Sequence, residues 1–137
     1  MSAGPFHPDL TFTLTALGAL YAETERYAAA EEQYQRALKI LEPDELALET
    51  RIARVLYGLS AVYIKAGRKN EGENALLRAA AIARNNLSQS ADMAAILEDY
   101  SAMLRKQGKT EDAEELRVEA RRARVSNGLV TSAHNPF

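Results

Sequence analysis

The feature that most constrains this chain is an internal repeat. Aligned on itself at an offset of 42 residues, the sequence places Leu14, Leu17, Leu20, Tyr21 and Ala37 over Leu56, Leu59, Val62, Tyr63 and Ala79. A further shift of 41 residues brings in Leu97, Tyr100, Met103, Leu104 and Ala120. Such a period points to stacked supersecondary units, none of which can bury its apolar face alone. Whatever one unit folds into, the other two must fold into as well.

Within each unit the apolar residues recur at helical spacing. First helices are predicted over Asp9 to Glu25, Asp44 to Ala66 and Ser90 to Gln107, and second helices over Tyr27 to Leu41, Asn70 to Leu87 and Glu111 to Val125. Gly67 and Gly108 stand between the helices of the second and third units, where a helix end needs positive φ. Connections this short force antiparallel hairpins. Small residues occupy one register of the first helices (Gly18, Ser60, Ser101) and one of the second (Ala30, Gly72, Ala113). Small side chains there let paired helices close to about 8 Å between axes.

Leu14, Leu17, Gly18, Tyr21, Ala30, Tyr34 and Ala37 together resemble the tetratricopeptide signature, and the third unit is similar through Ser101, Leu104, Gly108, Ala113 and Ala120. The period exceeds the family's usual length of about 34 residues by roughly two helical turns. That spacing, with His7-Pro8-Asp9-Leu10 at the start, resembles the long repeats of the kinesin light chain type, which are also widespread in bacterial proteins. The resemblance implies an all-α fold, a right-handed superhelical stack of three antiparallel helix hairpins. It implies one domain over residues 8–125, with repeats at about 8–43, 44–88 and 89–125, after an arm of residues 1–7 and before a polar tail, 126–137, expected to be disordered.

In this family the register of Tyr34 and Leu76 packs onto the following unit, and the third unit places Arg117 there. A charge buried without a partner is costly, so that face is expected to be solvated and the array to end with the third unit. At the other end Thr13 stands where Val55 and Ile96 face a preceding unit, while Leu20 and Phe6 leave the face partly apolar. The N-terminal arm or a second copy of the chain, pairing through the first hairpin as a homo-oligomer, is expected to cover it.

Counting about 100° per residue, the face of each first helix opposite its core carries Phe12, Thr15, Ala19, Ala22 and Glu23, then Arg54, Tyr57, Ala61, Ile64 and Lys65, then Ala95, Glu98, Ala102, Arg105 and Lys106. In the stack that the resemblance implies, these line one concave groove. Its mixture of apolar anchors with charges of both signs suits a peptide or helix of a protein partner rather than a metabolite. Family members that grip the acidic tails of heat-shock chaperones do so with lysine, asparagine and arginine on these helices. The corresponding positions here are Thr15, Ala19, Gly58, Ala95 and Asp99, so the clamp is missing. The asparagines of the kinesin light chain pattern are likewise replaced, by Thr15 and Ala16.

Charge and composition exclude other classes. A net charge of −2 supplies no field for nucleic acid or an anionic membrane, and no apolar run approaches the roughly 20 residues of a membrane span. The absence of cysteine removes thiolate chemistry and fits a reducing compartment, with the cytoplasm as the default location. The two histidines, His7 and His134, lie in terminal segments, and no phosphate loop, metal spacing or nucleophile motif is present. Glu111, Asp112, Glu114 and Glu115 open a helix, and Arg121, Arg122 and Arg124 close one; both placements suit the helix dipole. Asn135-Pro136-Phe137 resembles the tripeptide bound by EH domains. The expectation is a binding scaffold without enzymatic activity or cofactor. A secretion-type chaperone for a client protein and a self-assembling structural protein are the alternatives.

Overall fold

The computed structural model describes residues 8–44 and 47–132, and every regular element among them is a helix. In chain order these are α1 (Pro8–Glu23), α2 (Tyr27–Leu41), α3 (Glu49–Lys65), α4 (Lys69–Arg84), α5 (Ala91–Lys106) and α6 (Thr110–Ser132). The helical hairpins expected from the repeat are therefore present. Where the sequence suggests one domain over 8–125, the contacts gather into two compact units, one ending at Ala79 and the other starting at Ala80, inside α4. Repeat arrays are held by contacts between sequence neighbours, so they partition readily along the chain.

The hairpin turns share one hydrogen-bond pattern. The N–H groups of Arg26, Arg68 and Lys109 donate to the carbonyls of Tyr21, Tyr63 and Leu104 at 2.8, 2.8 and 2.9 Å. Those of Glu25, Gly67 and Gly108 donate to Ala22, Ile64 and Arg105 at 3.1, 3.1 and 3.0 Å. This is the Schellman closure of a helix, which requires a left-handed residue just past the end. Gly67 and Gly108 adopt φ of 86° and 84° as expected, and Glu25 takes the same position with φ 62°.

In the unit up to Ala79, Ala30 and Ala37 are wholly buried, with Leu14, Val55, Leu56 and Val62 close to it. The small registers meet as the sequence implies: a β-carbon on Gly72 would fall 2.9 Å from the Ser60 carbonyl oxygen. In the unit from Ala80, Met93, Ile96, Leu97, Ala113 and Ala120 are wholly buried. There the Ser101 hydroxyl donates to the Ala113 carbonyl at 2.6 Å, so the small register also satisfies a buried hydroxyl. Arg117 is half-exposed and donates to Glu114, one turn back on its own helix, at 2.5 and 3.1 Å.

Three boundaries differ from expectation by three residues or more. α3 begins at Glu49 instead of Asp44, because the Ala47 N–H bonds the Asp44 carbonyl in a turn and Leu48 is extended. α4 stops at Arg84 instead of Leu87, where the Asn86 amide takes the Ile82 carbonyl at 2.8 Å. α6 runs on to Ser132, past the expected helix end at Val125. A single helical glycine, Gly128, costs only about 1 kcal/mol, too little to stop a helix without a following proline or left-handed cap. Residues 1–7 and 133–137, with His7, His134 and Asn135-Pro136-Phe137, lie outside the described residues.

Candidate binding surface

In the unit up to Ala79, α1 and α3 are joined through α2, and a small cleft of about 100 Å³ opens between them. It is lined by Thr11, Phe12, Thr15, Leu41, Arg51, Arg54 and Val55. Leu41 and Val55 are buried and supply an apolar floor. Phe12 stands out from it, 62% exposed, with the Arg51 guanidinium 3.9 Å over its ring centroid. Such a stack holds the ring and leaves its other face available. The Thr15 hydroxyl donates to the Thr11 carbonyl at 2.7 Å, so it is turned back on its own helix.

Three of the expected binding residues, Phe12, Thr15 and Arg54, therefore come together. Ala19 and Glu23 are exposed further along α1, Tyr57 is half-buried one turn beyond Arg54, and Ala61 and Lys65 are exposed toward the end of α3. Ile64 is 47% exposed but not simply solvent-facing: its Cγ1 occupies the space above Gly72, 2.5 Å from where a β-carbon there would stand. It closes the α3–α4 hairpin. Sequence reasoning missed Arg51, although its position three residues before Arg54 places it on the same helical face.

In the unit from Ala80, Glu98 accepts two hydrogen bonds from Arg124 at 2.6 and 2.8 Å, tying α5 to α6. The guanidinium holds the Glu98 carboxyl below the usual carboxylate range. Arg105 lies 3.7 Å from Glu114, and Lys106 is exposed. Two of these three charges are thus engaged in joining helices.

A second arrangement in the unit up to Ala79 is structural. Arg68 lies 4.5 Å over the Tyr63 ring and bridges Glu31 and Glu71, each at 2.6 Å. Gln35 donates to the Tyr63 hydroxyl at 3.0 Å. Burial raises the Tyr63 and Tyr34 hydroxyl pKa values, which keeps both protonated, and the arginine beside Glu71 lowers that carboxyl. Protonated phenols and guanidinium-bound carboxylates are poorly placed to act as general bases at neutral pH. Among the described residues no group of three His, Cys, Asp or Glu is placed to hold a metal ion, and no helix is long and apolar enough to cross a membrane.

Residues 1–42, which include the whole first hairpin and the Phe12 side of the cleft, match the family model of the tetratricopeptide repeat. No curated protein matches the sequence.

Proposed function

We propose that this chain is a tetratricopeptide scaffold of the long-period type, similar to kinesin light chain repeats, that holds a segment of a partner protein against α1 and α3. Tetratricopeptide repeats in general mediate protein–protein interaction. The observation that carries the reading is Phe12: a large apolar ring 62% exposed, held by Arg51 beside an apolar floor and a second arginine. An ordered aromatic in a partly desolvated cleft, flanked by cations, is the composition of an interface anchor. A segment offering an apolar side chain with a nearby carboxylate suits it, the first for Phe12 and the floor and the second for the rim.

The test is photo-crosslinking from position 12 in native extract, with Lys39 on α2 as the control position. The captured segment is then synthesised and titrated against the intact chain and Phe12→Ala. Capture at 12 and not at 39, with at least about tenfold weaker binding by the variant, supports the reading. Equal capture at both positions, or unchanged affinity, overturns it.

Self-association is a second reading with its own observation. From Leu10 to Ala22 α1 has no charged residue, and Leu20 on it is 54% exposed. Sedimentation of the intact chain and Leu20→Glu across a concentration range separates the two readings: mass rising with concentration only in the unaltered chain favours assembly.

A further inference from the structure

Where α6 continues past Val125 it borders a concave surface within the unit from Ala80. Leu87 and Ser88 of the α4–α5 connection face Ala123, Ser126 and Asn127 of α6 across a cavity of about 290 Å³, with Arg122 also lining it. The walls are mostly apolar carbon, and the Asn127 amide reaches the Leu87 carbonyl at 3.5 Å. Its volume is near the lower end for ligand pockets, about 300 Å³, and is large enough for one or two side chains.

The electrostatics of this cavity are set by which arginines are already engaged. Arg84 donates to Glu119 at 2.9 and 2.5 Å, and Arg124 to Glu98. Glu119, the one carboxylate in the lining, is therefore committed to a cation outside it. Arg122 has no carboxylate partner among the described residues, and the Ser88 and Ser126 hydroxyls have no protein acceptor or donor there. An available guanidinium and two hydroxyls thus border an apolar hollow.

We infer that this cleft binds an acidic protein segment in which an aliphatic residue adjoins a carboxylate. The aliphatic side chain covers Leu87 and Ala123. The carboxylate takes the planar donor fork of Arg122, which it matches bidentately, and the serine hydroxyls donate to its remaining lone pairs. A single cation beside apolar walls does not suit a polyanionic backbone, whose binding scales with the number of phosphates neutralised.

Amide shifts of the full chain, titrated with the blocked peptide acetyl-Gly-Leu-Asp-Gly-amide, test this. Saturable shifts are expected at Ser88, Ala123, Ser126 and Asn127, with apparent affinity falling about tenfold when leucine is replaced by glycine or aspartate by asparagine. Arg122→Gln should weaken the parent peptide similarly at unchanged helicity, whereas Arg121→Gln, outside the cleft, should not. Equal binding of all three peptides, equal effects of the two arginine substitutions, or binding of 4-methylpentanoate with no binding of the peptide would each overturn the inference, the last by making the cleft a small-acid site.

Discussion

The ring of Tyr34 leaves no room for a side chain on Gly58. A β-carbon there would stand 2.5 Å from Cζ, 2.7 Å from Cε1 and 2.8 Å from the hydroxyl oxygen. The opposite edge of the ring meets Gly18 on α1, where a β-carbon would lie 2.9 Å from both Cε2 and Cζ. One aromatic residue of α2 is thus held between glycines of the two flanking helices, which is how the second helix of one hairpin engages the first helix of the next.

Gly58→Ala is therefore expected to destabilise. Alanine in a helix interior gains about 1 kcal/mol over glycine, but overpacking a site that cannot relax costs about 1–3 kcal/mol. The ring cannot retreat, because Gly18 confines its other edge. A net loss should appear in urea unfolding, and Tyr34→Leu in the same chain should remove most of it, a coupling that a double-mutant cycle measures. A stabilised Gly58→Ala would mean that the ring has room to move.

Glu25→Gly should stabilise the chain. Glu25 holds φ 62° at the position where the other hairpins use Gly67 and Gly108. The left-handed region costs a non-glycine residue about 1–2 kcal/mol, partly offset by the greater freedom of glycine when unfolded. A gain of about 0.5–1 kcal/mol is expected, and Gly67→Ala and Gly108→Ala should each lose about as much. Both glycines have open space around them, so these changes isolate backbone strain from packing. Thermal unfolding of the three variants checks the signs.

Acid should weaken the α5–α6 pairing. Glu98 has a depressed folded-state pKa, caused chiefly by its hydrogen bonds from Arg124. A depressed carboxylate contributes stability that is present above its unfolded pKa, about 4.3, and is lost as pH falls through the folded value. Glu71 and Glu114 shift the same way and add to the slope. Melting temperatures from pH 7 down to pH 3 should fall less steeply in Glu98→Gln than in the unaltered chain, the two converging at the acid end. Parallel curves would show that the pair contributes nothing net.

The repeat makes most of this architecture legible in the sequence. Period, register and glycine turns carry over from one unit to the next, so Gly67, Gly108, Ser101 and Ala113 could be placed by alignment alone. What escaped were departures from the repeat. Glu25 hid a turn because no glycine marks it, and α6 outran its expected end because Gly128 is a weak break. The side-chain arrangement along the first helices was only partly readable. Helical angle put Phe12, Thr15 and Arg54 on one side, but it cannot show that Arg124 reaches Glu98 or that Ile64 leans over Gly72, since both depend on side-chain reach across a hairpin.

The remaining prediction concerns binding. Tyr57 is half-buried on α3, one turn beyond Arg54, which lines the cleft with Phe12. If a partner segment runs along α1 and α3, Tyr57→Ala should weaken it by about 1–2 kcal/mol, roughly tenfold, because aromatic anchors near the centre of an interface dominate its energy. Arg54→Gln should act more weakly and mainly through association rate, with an effect that shrinks as salt rises, since rim charges steer encounter. Phe12→Ala should match or exceed Tyr57→Ala, as its ring is the more exposed. Isothermal titration and stopped-flow association with the segment crosslinked from position 12 separate these contributions, and circular dichroism confirms that each variant stays folded. Full affinity in a folded Phe12→Ala/Tyr57→Ala chain would move the partner off this face, leaving the cleft as a packing defect between two helices.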